Sequence, residues 1–219
     1  TNYVAVDGFI VKDAARGGIR VALAKGVVIQ NNTVGPCQKW CIFTAFTPEI
    51  QIVHNTAFNA TEQHGIYVSN SNTSTDNPII RGNVTYGNTR SGIQVNGDCY
   101  SEGNLDGVIS GAVIENNVIY ENTAKGMSLI SMQDSVVRNN VIYDNKGGAG
   151  AIHLTDEPGC GKPSSRNVVV YNTIVESALA GIRINDGATS NVVFNNLVIV
   201  TNPNKPLIKD ETGGNFIST

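Results

Sequence analysis

A chain of 219 residues with a formal net charge of -3, from 15 Lys plus Arg against 18 Asp plus Glu, lacks the basic excess that a phosphate backbone demands, which excludes nucleic acid as a partner. No apolar run reaches about 18 residues, so no membrane span is expected, and no charged-then-apolar leader opens the chain, as in a mature protein whose leader has been removed. Only 15% of the residues are charged, 23 are Gly, and Asn, Ser and Thr are frequent, which suits exposed strands and tight corners better than amphipathic helices.

In chain order, one unit keeps returning. An apolar pair precedes an Asn, and a Gly with alternating apolar residues follows it some ten residues later. The marks are Gly8 in the first unit, then Asn32, Asn55, Asn83, Asn117, Asn140, Asn172 and Asn196, at spacings of 24, 23, 28, 34, 23, 32 and 24. The second runs are Gly18-Ile19-Arg20-Val21, Gly65-Ile66-Tyr67-Val68, Gly92-Ile93-Gln94-Val95, Gly126-Met127-Ser128-Leu129, Ala151-Ile152-His153-Leu154 and Gly181-Ile182-Arg183-Ile184. The clearest copy is Val113-Ile114-Glu115-Asn116-Asn117-Val118-Ile119-Tyr120, which recurs as Val136-Val137-Arg138-Asn139-Asn140-Val141-Ile142-Tyr143. Pro206-Leu207-Ile208-Lys209 and Asn215-Phe216-Ile217 read as a last partial unit, with room for further sequence beyond it.

A period of 23 to 24 residues fits two solenoids, the leucine-rich repeat and the parallel β-helix. Seven Leu in the whole chain cannot supply the first, so the expected fold is all-β: one domain over 1–219, a parallel β-helix of about eight coils with three short strands per coil. Stacked Asn amides would bond from coil to coil at one corner. What repeats in every coil serves architecture, so the site must lie elsewhere.

His64-Gly65-Ile66-Tyr67-Val68-Ser69-Asn70-Ser71, Ile80-Arg81-Gly82-Asn83 and Gly92-Ile93-Gln94-Val95-Asn96 resemble the carbohydrate-active repeats of the right-handed parallel β-helix proteins in the pectate-lyase-like superfamily. The resemblance runs from about Val4 to Asn196. It implies a polysaccharide partner along one strand face, but no single reaction, since one fold hosts many chemistries. No amphipathic helix precedes the first strand, unlike the usual pattern; an uncapped coil invites end-to-end or dimeric association, with cover by further sequence or no cover as the alternatives. The motif set of the pectin-hydrolysing members is missing: Arg183-Ile184 is followed by Asn185, and His64 is preceded by Gln63.

Three intervals are long because of insertions at Asn70 to Asn77, Gly97 to Gly107 and Glu157 to Ser165, all after the Gly-Ile-x-Val strand. They should stack into a wall beside that strand column and make a groove for an acidic polysaccharide. The outward positions of the column are Arg20, Phe43, Tyr67, Gln94, Ser128, His153 and Arg183, with Asn96 and Asn185 in the next row. β-Elimination on a uronate needs a carboxylate-neutralising cation, a base and an acid for the leaving oxygen. Arg183 or Arg20 is assigned the first role, His153 or His64 the second, and Tyr67 the third. Phe43, Gln94, Asn96 and Asn185 are assigned to substrate binding, and Lys125 and Lys162 to solvent. Asp98, Glu102, Asp106 and Asp156 are the oxygen ligands expected should the loops hold a Ca²⁺. Of the four Cys, Cys99 with Cys160 would tie the wall and Cys37 with Cys41 would staple a turn, with free thiols or a metal site as alternatives; disulfides would point to a secreted, periplasmic or cell-surface protein. A polysaccharide lyase is the expected activity. A non-catalytic binding module or adhesin, a glycoside hydrolase and a uronate epimerase are the alternatives.

Overall fold

The computed structural model describes residues 3–69, 76–100 and 106–218. Every main strand pairs in parallel with its equivalent one coil on, and the strands form three long sheets of nine, eight and eight strands among the described residues. The third sheet carries the site. Its strands are β1 (Ile19–Ala22), β2 (Ile42–Ala45), β3 (Ile66–Ser69), β4 (Ile93–Asn96), β5 (Met127–Ile130), β6 (Gly150–Thr155), β7 (Ala180–Ile184) and β8 (Ile208–Asp210). This is the expected solenoid of about eight coils.

Alternation makes the core. In the first sheet Ile29, Ile52, Ile80, Ile114, Val137, Val169 and Val193 point inward, and in the third Ile42, Ile66, Ile93, Met127, Ile152 and Ile182 do so; all are completely buried. Each such side chain contributes about 1.5–3 kcal/mol. A slip by one residue would turn these columns to solvent, so the pattern sets the register.

Asn pairs make the corner between the first and second sheets. The first member of each pair, or its substitute, takes φ between +51° and +66° at Asn31, His54, Gly82, Asn116, Asn139, Tyr171 and Asn195. Asn and Gly visit this left-handed region most readily. The second member turns inward. From Asn32 through Asn55, Asn83, Asn117, Asn140 and Asn172 to Asn196, each Nδ2 donates to the next Oδ1 at 2.9–3.1 Å. In the first coil the register differs from expectation: Asp7 pairs with Gln30, so Gly8 stands opposite Asn31, and Phe9, whose N–H donates to Asn32 Oδ1, takes the ladder place.

Two further ladders run at other corners. Asn88, Asn122 and Asn145 form one, and Ser135, Asn167, Asn191 and Asn215 the other. The first falls on a second Asn five places after Asn83, Asn117 and Asn140. It ends on a carboxyl: Asn145 donates from Nδ2 and from its backbone N–H to Glu176, which is buried and pushed up to about 7 by that burial. The folded state thus holds a proton that the unfolded chain, at about 4.5, gives up first. Stability contributed here is present below that pH and is lost as pH rises through about 7. Glu176→Gln is expected to match the wild type in urea unfolding at pH 5 and to exceed it at pH 8 by roughly 3 kcal/mol.

Candidate functional site

The outward column of the third sheet stands in one register: Arg20, Phe43, Tyr67, Gln94, Ser128, His153, Arg183 and then Lys209. One flank carries the insertions. Cys99 and Cys160 are joined, with Cα atoms 5.9 Å apart, and the Tyr100 hydroxyl donates to the Pro158 carbonyl, so the second and third insertions form a tied wall. Glu102 and residues 70–75 of the first insertion lie outside the described residues.

The face changes character along its length. Its N-terminal third is aromatic: Trp40 stacks on Phe43 at 4.6 Å between ring centroids, and Phe43 meets Tyr67 at 5.3 Å. Arg20 lies 5.8 Å over the Phe43 ring, giving a surface suited to the apolar face of a sugar. His64 is buried beneath Tyr67, 5.4 Å from its ring, and its Nδ1 accepts the Ser91 N–H at 3.1 Å. Burial holds its pKa down at about 3, so the imidazole is neutral and occupied with closing the sheet edge.

In the middle, Asn96 Nδ2 donates to the Tyr67 hydroxyl at 3.3 Å, and burial pushes the Tyr67 phenol up, keeping it protonated. Glu157, from the wall, approaches Asn96, and burial raises its carboxyl. Gln94 is half-buried between the two regions.

The C-terminal third holds the densest chemistry. His153 is buried on the outward face of β6, and its Nε2 lies 2.6 Å from Asn185 Oδ1. With Asn185 presenting its carbonyl oxygen, Nε2 carries the proton and donates, which leaves Nδ1 as a lone pair with no partner among the described residues. Burial, then the Lys125 cation, lowers this imidazole to about 4, so it is neutral at physiological pH. Lys125 Nζ donates to Ser128 Oγ at 3.2 Å, and burial together with Arg183 lowers its pKa. Arg183 is bonded through Nε and Nη2 to Glu211 at 2.9 and 2.7 Å, and Thr155 donates to Asp186 at 2.7 Å. A neutral imidazole flanked by two cations can accept a proton beside a bound carboxylate.

The structure separates residues that the sequence analysis combines. Tyr67 on β3 and His153 on β6 are three strand spacings apart, about 14 Å along the axis, and each bonds within its own neighbourhood. They do not face one reacting carbon. Lys125, assigned to solvent from sequence, is instead bonded to Ser128, the outward neighbour of His153, and its charge acts on His153. Its place immediately before Gly126, where His64 precedes Gly65, is the one sequence signal that pointed to the edge of the face.

Asp98 and Asp106 each accept a backbone N–H from a residue two places on, and Asp156 accepts from Ser131 Oγ and from the Lys162 N–H. Cys37 and Cys41 are free, buried thiols and not the expected staple. Cys41 donates to the Phe58 carbonyl at 3.2 Å, and the Cys37 thiol and burial push its pKa up.

A family model described as periplasmic copper-binding protein (NosD) matches residues 1–215. No curated protein matches the sequence. Among solved structures, the mannuronan C-5 epimerase AlgE4 A-module of Azotobacter vinelandii is similar over 100% of this chain and 58% of its own, with 18% identity and a TM-score of 0.83. The periplasmic alginate epimerase AlgG matches over 93% of this chain and 48% of its own, at 15% identity and TM-score 0.60. DFA-IIIase from Arthrobacter chlorophenolicus A6, without its lid, matches over 95% and 51%, at 16% identity and TM-score 0.68. The chain therefore spans about half to three-fifths of the length of these structures, and the likeness is one of fold.

Copper calls for converging thiolate, thioether or imidazole ligands. All three His, four Cys and two Met lie among the described residues. No group of three or more His, Cys, Asp or Glu there is placed to hold a metal ion, Met127 and Met132 are sealed in the core, and Cys41 is held as a thiol. These residues do not fit a copper centre.

Proposed function

The chain belongs to the NosD family of periplasmic copper-binding proteins, and we propose that this member works outside the cytoplasm on an acidic polysaccharide, as a lyase on a uronic-acid-containing polymer. The observation that carries the reading is the neutral, buried His153 on the outward side of its strand, with the Lys125 and Arg183 cations acting on it. Lys125 and Arg183 hold the uronate carboxylate and stabilise the charge that develops on it. His153 takes the proton from the adjacent carbon, and Lys125, whose pKa is lowered, returns one to the leaving oxygen. Tyr67, Phe43 and Trp40 bind sugar units further along the polymer, with Arg20, Gln94 and Asn96 as polar contacts. The tied wall fits an oxidising compartment.

The names of the similar structures support an acidic polymer, because two of them act on mannuronan or alginate. Epimerisation shares the first step, removal of the proton beside the carboxylate, and differs only in that the carbanion is reprotonated and does not expel the leaving oxygen. One observation favours a non-catalytic binding module: His153 Nδ1 is enclosed. The lyase reading therefore requires that substrate binding uncover Nδ1, since catalytic contacts can form only in the substrate complex.

Incubation with alginate, pectate and glycosaminoglycans distinguishes the readings. The lyase reading expects ultraviolet-absorbing unsaturated ends from at least one polymer. Tight binding with no unsaturated product and no change in uronate stereochemistry on any of them would establish the binding module instead.

A further inference from the structure

The edge of the third sheet opens where the face ends. The residue two places before the inward Ile or Met is Trp40, His64, Ser91 and Lys125 from β2 through β5, but shrinks to Gly150 and Ala180 at β6 and β7. A hollow of about 290 Å³ lies there, floored by Gly148, Ala149 and Ala180 and rimmed by Arg183, Lys205 and Lys209. Gly148 adopts φ +97°, and a Cβ on it would stand 2.8 Å from Lys125 Cγ. The Lys125 stem thus lies against Gly148, and Arg183 on the rim stands in register beside His153.

Its charge is opposite to that of the whole chain. Glu211 is shared between Arg183 and Lys209, while Lys205 forms no ion pair among the described residues. Three cations against one carboxylate leave the rim positive in a protein of net charge -3. Lys205 and Lys209 are exposed and need no partner for folding.

We infer that this hollow is a distal carboxylate subsite, which takes the uronate unit beyond the one held at His153 and restricts the substrate to polymers with adjacent acidic units. The inference rests on the reading of the face as a polyuronate groove. A polymer lying along the column meets Arg183 and then Lys209 in register, so successive carboxylates fall on successive cations.

The test is binding of an oligouronate and of its carboxyl-reduced, neutral counterpart, by calorimetry at two salt concentrations. Lys205→Gln is expected to weaken the oligouronate up to about fivefold and Lys205→Gln/Lys209→Gln about tenfold, with flatter salt dependence and little change for the neutral sugar. Wild-type binding that both variants retain in full, at both salts, would overturn the subsite and leave the groove reading intact. If the wild type binds no oligouronate, the groove reading and the subsite fall together. Equal loss for the neutral sugar would also overturn the subsite, because a structural role would not discriminate charge.

Discussion

Asn117→Ala is expected to destabilise the fold by about 4 kcal/mol, a loss of roughly 10 °C in the thermal midpoint. Asn117 is completely buried at the centre of the long ladder. Its Oδ1 accepts from both Asn83 N and Asn83 Nδ2, and its Nδ2 donates to the Ile80 carbonyl and to Asn140 Oδ1. Truncation strands buried donors that no water reaches, and each unsatisfied group costs about 1–3 kcal/mol. Asn196, the last member, is partly open to water, so Asn196→Ala should cost less than half as much. Equal costs at both positions in denaturant unfolding would show that the ladder does not act through burial.

The second large effect concerns the chemistry. His153→Gln should lower turnover of the polyuronate by about 10²–10⁴-fold while leaving the thermal midpoint nearly unchanged, because the side chain lies on the outward face and holds one bond, to Asn185. The pH profile is set by the ring's low pKa. A base works when deprotonated, so wild-type activity should hold at neutral pH and fall as pH drops through about 4. Lys125 is the main charge depressing His153, after burial. Lys125→Met should therefore raise the imidazole pKa and move the acid limb to higher pH, besides lowering the rate. A variant that loses rate with an unmoved limb would place Lys125 in packing only.

These effects differ in how much of them the sequence displays. The ladder is legible because stacking makes the same demand in every coil: Asn117 and Asn140 repeat both in identity and in their neighbours, and only a corner amide needs that. The Asn88–Asn122–Asn145 ladder obeys the same rule but stops at Glu176, so it lacks a run long enough to stand out. The outward column is legible too, since strand alternation puts Tyr67, His153 and Arg183 on one face.

What the sequence does not carry is side-chain reach. Coil positions imply that Tyr67 and His153 are well separated, but only the bonds to Asn96 and Asn185 show that neither spans the gap. Lys125 reads as a solvated edge residue until Gly148 is seen to make room for its stem. Cys37 and Cys41, four places apart, read as a staple, yet both turn into the core as thiols.

The most direct test of the central claim is proton exchange at the uronate carbon. Polyuronate incubated with the protein in heavy water and analysed by NMR should either gain deuterium beside the carboxylate or lose that hydrogen to elimination, and His153→Gln should abolish both. Polymer recovered with its original hydrogen, stereochemistry and length, although bound by the wild-type protein, would contradict proton abstraction on this face.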